Sequence, residues 1–197
     1  MSGFWSGKRV FLTWHTGFKR SWLVLWLQHL GAQVTGYALV RPPPTPSLFE
    51  ITPRRAGMEL NDMTNYDPLV SELRSAAADI VIHMAAQSLM RYSSGNPVVT
   101  NRTNVMGTMH LLQPVRQVNS VRAVPNISSD KCCENGEWIS RFRENDRLSG
   151  GDPIATARPV PNLCPRPSIT LFSARQPCDP RRSPPRPAPA TLELSRI

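Results

Sequence analysis

Cysteine is scarce in this chain of 197 residues, and long apolar runs are absent. The four cysteines, Cys132, Cys133, Cys164 and Cys178, show no CxxC spacing, which argues against a zinc site and predicts free thiols. The most apolar stretch, residues 22–30, is too short to span a bilayer. The first residues lack the layout of a signal peptide. We therefore expect a cytoplasmic protein that does not enter a membrane.

Acidic residues are in deficit, with 14 against 23 lysines and arginines and a net charge of +9. The basic residues are dispersed and form no long run, so a solvated basic surface is favoured over a nucleic-acid site. The four histidines, His15, His29, His83 and His110, show no metal-ligand spacing. We predict that they are structural or solvent-exposed and that the protein holds no metal.

Glycine almost disappears after residue 150, while proline becomes frequent. Residues 1–150 carry ten of the 11 glycines and nine of the 20 prolines, whereas residues 151–197 carry one glycine, 11 prolines and seven arginines. Such a composition does not favour a packed core. We predict a packed domain over residues 1–153 and a disordered Pro/Arg-rich tail over residues 154–197.

Strand and helix patterns alternate along the first 127 residues. Apolar runs of strand type lie at 8–13, 33–39, 79–84 and 121–127, and helical spacing of apolar residues lies at 17–31, 68–78 and 104–117. This alternation predicts an α/β fold, with an incomplete, Rossmann-like, doubly wound parallel sheet. Pro125 conflicts with a central strand, so either that strand ends early or the sheet is disturbed there.

The first strand-to-helix turn contains few of the glycines that a dinucleotide loop uses. In a parallel sheet this turn is where a pyrophosphate meets a helix N-terminus. Of the G-x-x-G-x-x-G template, only Gly17 is present, and Trp14 and Arg20 stand at the outer positions. The loop alone is therefore a weak signal for dinucleotide binding.

The segments around this turn and further along the chain give a second signal. They include Gly7-Lys-Arg-Val-Phe-Leu-Thr13, His15-Thr-Gly-Phe-Lys19, Pro46-Ser-Leu-Phe-Glu50, His83-Met-Ala-Ala-Gln87, Thr103-Asn-Val-Met-Gly-Thr108 and Asn126-Ile-Ser-Ser-Asp-Lys-Cys132. Over about three quarters of the chain, in order, such segments resemble the CDP-glucose 4,6-dehydratases, which are extended short-chain dehydrogenase/reductases.

The resemblance implies that the chain binds NAD and that particular residues contact it. The implied contacts are Gly17, Phe18 and Lys19 at the pyrophosphate, Asp62 and Met63 near the adenine, and Ala85, Ala86, Gln87 and Thr103 along the cofactor. Met63, Ala85 and Ala86 are equally typical of ordinary core residues. Family members have glycine where Trp14 and Arg20 stand, so we expect these two side chains to obstruct NAD.

The family converts CDP-glucose into a 4-keto-6-deoxy sugar nucleotide, and the elimination step needs an acid and a base. By resemblance, Ser129 would contact the sugar, Asp130 would protonate the leaving C6 hydroxyl, and Lys131 would act as the base at C5. Taken alone, Ser128-Ser-Asp-Lys131 is as typical of a turn or a helix cap.

The family's Tyr-x-x-x-Lys pair, the base for hydride transfer, is missing. Ile154 and Arg158 stand at the aligned positions, and isoleucine cannot exchange a proton. We hypothesise a reading-frame slip near Pro153, because Tyr-Ser-Asn-Ser-Lys codons read one base later encode Ile-Ala-Thr-Ala-Arg, which is residues 154–158. Sequencing the gene tests this hypothesis.

Three functional hypotheses follow. The first is a sugar-nucleotide dehydratase by descent, acting on CDP-glucose and inactive in this form. The second is a non-catalytic remnant that binds nucleotide weakly or forms a homodimer. The third is an interaction protein that docks through proline-rich stretches such as Ser183-Pro-Pro-Arg-Pro187. NAD binding separates the first two from the third, and turnover separates the first from the second.

Overall fold

The computed structural model describes residues 3–14, 16–39, 57–127 and 170–174. These residues form one parallel sheet of six strands in the order β3-β2-β1-β4-β5-β6. The strands are β1 Arg9–Thr13, β2 Gln33–Ala38, β3 Gly57–Leu60, β4 Ile80–Ile82, β5 Ala123–Ile127 and β6 Thr170–Ala174. This is the strand order of a doubly wound dinucleotide-binding fold, so the predicted fold class is confirmed.

Helices follow the strands on the chain. They are α1 Phe18–His29, α2 Tyr66–Ala76, α3 Met90–Gly95, α4 Pro97–Asn101 and α5 Gly107–Val115, with a π-helical turn over Arg102–Met106 between α4 and α5. The end of α1 is set by Gly31, whose φ of 89° is unfavourable for residues with a Cβ. The amide of Ala32 donates to the carbonyl of Leu27 over 2.9 Å and closes that helix end.

The core lies in two layers because successive strand residues face opposite sides of the sheet. Val10 and Leu12 of β1 pack in the layer that holds Val24 and Leu27 of α1. Between them, Phe11 packs in the other layer, whose helical members come from α2 and α5: Leu69, Leu73, Leu111, Leu112 and Val115. Helices therefore cover both faces, as predicted from the alternation of elements.

Two strands differ from the sequence-based expectations. Strand β3 follows a proline-rich segment and has only four residues, a length too short for periodicity to reveal. Strand β6, Thr170–Ala174, lies within the predicted tail and pairs with β5, which the sequence periodicity did not predict. The other tail residues lie outside the described ranges.

Pro125 does lie inside a strand, and the sheet adapts to it. Residue Ile80 of β4 pairs with Ala123, and His83 pairs with Asn126, so the register is the same on both sides of the proline. Pro125 has no N–H to donate, yet its carbonyl accepts from the His83 amide over 2.8 Å. The strand therefore continues through Pro125 with an interrupted ladder.

Within the described ranges, no helix combines the length and apolarity that a bilayer crossing requires.

Candidate functional site

The strand order reverses between β1 and β4, whose carboxyl ends therefore border a crevice. The N-terminus of α1 meets this crevice, since the helix begins at Phe18, five residues after β1 ends at Thr13. Gly17 caps the helix, and its carbonyl accepts from the amides of Arg20 and Ser21 over 3.1 and 2.8 Å. The amides that precede these in the first turn are the ones a helix leaves for an anion.

Trp14 has a left-handed backbone conformation, which is the kind that glycine adopts most readily. Its φ is 59°, in the left-handed region where a residue with a Cβ is strained. Its amide is directed to the carbonyl of Tyr37 in β2, and its side chain packs against the core. The chain therefore makes a tight turn after β1 despite the tryptophan.

Arg20 extends across the crevice from α1 to the end of β4. Its Nη2 donates to the carbonyl of Met84 over 2.7 Å, and its guanidinium lies over the Trp14 ring, 5.1 Å from the ring centre. A Cβ built on Gly17 would lie 2.6 Å from Nη1 of Arg20. The guanidinium therefore occupies the space directly beside Gly17.

The backbone of the crevice consequently has the form that a pyrophosphate site requires, but one side chain occupies the space for the phosphates. The αL turn and the start of α1 have the required form. Arg20, however, occupies the space that a close approach of phosphate to Gly17 requires. A dinucleotide could enter only if this side chain moved.

A buried polar chain joins β1, β4 and α5 beside the crevice. The hydroxyl of Thr13 lies 3.0 Å from Nδ1 of His83 and accepts from the amides of Met84 and Ala85 over 3.0 and 3.1 Å. On the other side of the ring, Nε2 lies 2.9 Å from the hydroxyl of Thr108. Thr13, His83 and Thr108 are all buried, so these hydrogen bonds fix the segment that follows β4.

Asn104 holds the same segment from the π-helical turn. Its Oδ1 accepts from the amide of Gln87 over 2.7 Å, and its Nδ2 donates to the carbonyl of Gln87 over 3.0 Å. Single π-helical turns often occur at functional sites. Here the turn contains Asn104, which is buried and bonded to the segment after β4.

The predicted cofactor residues fall into four groups, three of which follow strand ends at the carboxyl edge of the sheet. One group lies at the start of α1 and consists of Gly17, Phe18 and Lys19; the side chains of Phe18 and Lys19 are exposed. Ala85, Ala86 and Gln87 follow β4, and Asp62 and Met63 follow β3. Thr103 lies in the π-helical turn. Their contacts with NAD stay predictions.

Some of these residues have clear structural roles. Met63 is 6% exposed, packs in the core and lies 3.6 Å from the Cβ position of Gly107. Asp62 accepts from the amide of Thr64 over 2.8 Å, which stabilises the turn after β3. Ser129, Asp130 and Lys131, the predicted catalytic residues, lie outside the described residues, as do Ile154 and Arg158.

Sequence reasoning did not single out Thr13, Asn104 or Thr108. His83 was predicted to be structural or exposed, and the structure places it in the core at 2% exposure. A polar residue directly after an apolar strand is the signal that these positions offered. Thr13 ends β1 and His83 follows β4, and parallel strands bring such ends together.

The comparisons with known proteins agree with this architecture. The family model of GDP-mannose 4,6 dehydratase matches residues 12–136, more than half of the chain. The chain belongs to the GDP-mannose 4,6-dehydratase family. CDP-glucose 4,6-dehydratase of Salmonella typhimurium is 50% identical over 157 residues, which are 79% of this chain and 44% of that enzyme. The chain thus spans less than half the length of the Salmonella enzyme. The resemblance predicted from the sequence is confirmed.

Two solved structures show the same fold. The dTDP-glucose 4,6-dehydratase from Streptomyces venezuelae, with NAD and TYD bound, has a TM-score of 0.66 at 24% identity, covering 76% of this chain and 48% of that one. The UDP-glucose 4-epimerase from Thermotoga maritima, with UDP-glucose, has a TM-score of 0.66 at 20% identity, covering 76% and 47%. At these identities the likeness concerns the fold.

Proposed function

We propose that this chain is the nucleotide-binding half of a sugar-nucleotide 4,6-dehydratase and that it binds NAD in the crevice between β1 and β4. The observation that carries the proposal is the switch-point crevice at the start of α1, in a chain that is 50% identical to a CDP-glucose 4,6-dehydratase. When bound, NAD would supply a hydride acceptor. The chain's own residues supply the turn, the helix N-terminus and the fixed segment after β4.

We propose Gly17, Phe18 and Lys19 as the residues at the pyrophosphate. The first amides of α1 support this role, because the N-terminus of a 12-residue helix favours an anion. Lys19 is exposed and adds a positive charge in the same turn. Asp62 and Met63 are proposed near the adenine, and Ala85, Ala86, Gln87 and Thr103 along the rest of the cofactor.

CDP-glucose is the proposed sugar nucleotide, with Ser129, Asp130 and Lys131 as the elimination residues. The Salmonella relative supports CDP, and the Asp-Lys pair is what distinguishes this sequence from the dTDP-glucose type by resemblance. A cytoplasmic location and a homodimer stay predictions from the sequence.

A second candidate is a protein that binds nucleotide without turnover. One feature favours it: Ile154 and Arg158 replace the Tyr-x-x-x-Lys pair. Without the tyrosine, no side chain at that position can take the proton from the sugar C4 hydroxyl. We therefore expect NAD binding without measurable dehydratase activity.

Two measurements on the full chain test the proposal. A thermal-shift titration with NAD should raise the melting temperature saturably, because a ligand that binds the folded state stabilises it. A cooperative melt that NAD leaves unchanged contradicts the proposed cofactor site. Incubation with CDP-glucose and NAD, with dTDP-glucose and GDP-mannose as controls, tests turnover. Formation of a 4-keto-6-deoxy product would refute the non-catalytic alternative.

A further inference from the structure

We infer that His83 is a neutral histidine, held as the Nε2–H tautomer, that positions the segment after β4 beside the crevice. Its ring is buried, and each ring nitrogen lies within hydrogen-bond distance of a threonine hydroxyl. A hydroxyl can donate as well as accept, so these two distances alone leave the tautomer open. The other hydrogen bonds of Thr13 and Thr108 decide it.

The bonds of Thr13 make Nδ1 an acceptor. A hydroxyl oxygen has two lone pairs, and in Thr13 the backbone amides of Met84 and Ala85 donate to both. An amide can only donate, so the direction of these two bonds is certain. Thr13 therefore has only its proton left for the contact of 3.0 Å with Nδ1 of His83. Nδ1 must accept this proton, which requires that Nδ1 carries none of its own.

The bonds of Thr108 independently make Nε2 a donor. The hydroxyl of Thr108 lies 2.6 Å from the carbonyl oxygen of Asn104. A carbonyl can only accept, so the single proton of Thr108 is used in that bond. The contact of 2.9 Å between Thr108 and Nε2 of His83 must then be donated by Nε2–H. Both ends of the chain of hydrogen bonds thus require the same tautomer.

This tautomer makes His83 a positioning residue. Because Nδ1 accepts, the Thr13 proton turns toward His83 and both lone pairs stay available for Met84 and Ala85. The amides that begin the segment lining the crevice are thereby held against the end of β1. Asn104, which receives the proton of Thr108 on its carbonyl, holds Gln87 at the far end of the same segment. His83 therefore links both attachment points.

The tautomer is tested by nitrogen NMR on the 15N-labelled full chain, without any ligand. The His83 signals are assigned by their loss in His83→Gln, and exposed His29 serves as an internal reference. We expect Nδ1 to resonate as an unprotonated nitrogen and Nε2 as a protonated one at neutral pH. A protonated Nδ1, in either the neutral or the charged ring, would overturn the inference. This result does not depend on NAD binding.

The positioning role rests on the proposed NAD site and is tested by calorimetric titration of NAD. His83→Gln retains one acceptor and one donor and should bind NAD within about twofold of the parent protein. His83→Leu should bind about tenfold more weakly, because buried partners of the ring lose their hydrogen bonds. Equal affinities in both variants would overturn the positioning role.

A second pair of variants covers the case in which His83→Leu does not fold. Thr108→Val removes the acceptor of Nε2–H with little change of volume, and Thr108→Ser retains it. We expect weaker NAD binding in Thr108→Val only, and equal binding in both variants overturns the role. If the parent protein itself does not bind NAD, the proposed function fails, and the NMR result alone decides the tautomer.

Discussion

Replacing Arg20 by glycine should strengthen NAD binding, although it removes a positive charge beside the pyrophosphate site. In the structure Arg20 donates to the Met84 carbonyl over 2.7 Å and lies over the Trp14 ring. At the proposed site, the phosphates of NAD would approach Gly17 only after these contacts are broken, because Nη1 of Arg20 lies beside Gly17. Arg20→Gly removes this competition and restores the residue that the family template has at this position.

The size of the effect follows from the contacts that hold Arg20 in place. A hydrogen bond to a charged group contributes about 1.5–3 kcal/mol, and an exposed cation–π contact about 0.5–1 kcal/mol. Solvation of the released guanidinium offsets part of these two contributions. We therefore take roughly 1.4–2.8 kcal/mol as the net free energy that favours Arg20 in its observed position beside Gly17. The apparent affinity falls by the fraction of open molecules, so the variant should bind NAD about 10- to 100-fold more tightly.

The assay is calorimetric titration of NAD below the melting temperature of every variant. Lys19→Gly is the matched control, because it removes one positive charge from the same helical turn and adds the same glycine cost of about 1 kcal/mol. Lys19 is exposed and predicted to contact the pyrophosphate, so this control should bind NAD more weakly. If Arg20→Gly binds no better than the parent protein, Arg20 does not compete with the cofactor. Weaker binding would mean that Arg20 moves and holds the phosphates.

Three further predictions, two of them with a control substitution, test the physical account of the fold by urea unfolding. Ala77→Gly should stabilise the protein by about 1 kcal/mol, because Ala77 has a φ of 42° after α2. Ala76→Gly, at the last residue of that helix, should instead destabilise it by up to about 1 kcal/mol. Gly31→Ala should destabilise by about 1–2 kcal/mol, because its φ is 89°. Asp79→Ala should lower the free energy of unfolding by about 1–2 kcal/mol, because it removes the acceptor of the hydrogen bond of 2.9 Å from the Arg9 amide. Arg9→Met keeps that bond and should lower it by only about 0.5 kcal/mol.

The interaction between Arg9 and Asp79 also predicts that stability depends on pH. The backbone and side-chain hydrogen bonds from Arg9 lower the pKa of Asp79. A carboxyl with a lowered folded-state pKa stabilises the protein above its unfolded pKa of about 3.9 and loses that contribution as the pH falls through the lower folded value. Below both pKa values, Asp79→Ala and the parent protein should therefore differ less than at pH 7. A difference that is equal at both pH values would contradict this assignment.

Most of the fold could be predicted from the sequence because the spacing of apolar residues in long segments distinguishes a helix from a strand. The apolar positions of residues 17–31 and 68–78 predicted α1 and α2, and the run at 79–84 predicted β4. Strands β3 and β6 could not be predicted in this way, because four or five residues give too few repeats to distinguish a strand from a loop. Their places are set by pairing with β2 and β5.

The position of the crevice could be predicted from the sequence, but the position of the Arg20 side chain within it could not. The positions of Trp14 and Arg20 in the glycine template predicted an obstruction, and the fold confirms where that template lies. That Arg20 would turn toward Met84, some 64 residues along the chain, depends on the parallel pairing of β1 with β4. The same pairing brings Thr13 to His83. Both contacts arise from one register, so a variant that disturbs the β1–β4 register should release Arg20 and the His83 chain together, whereas Arg20→Gly should leave the His83 chain intact.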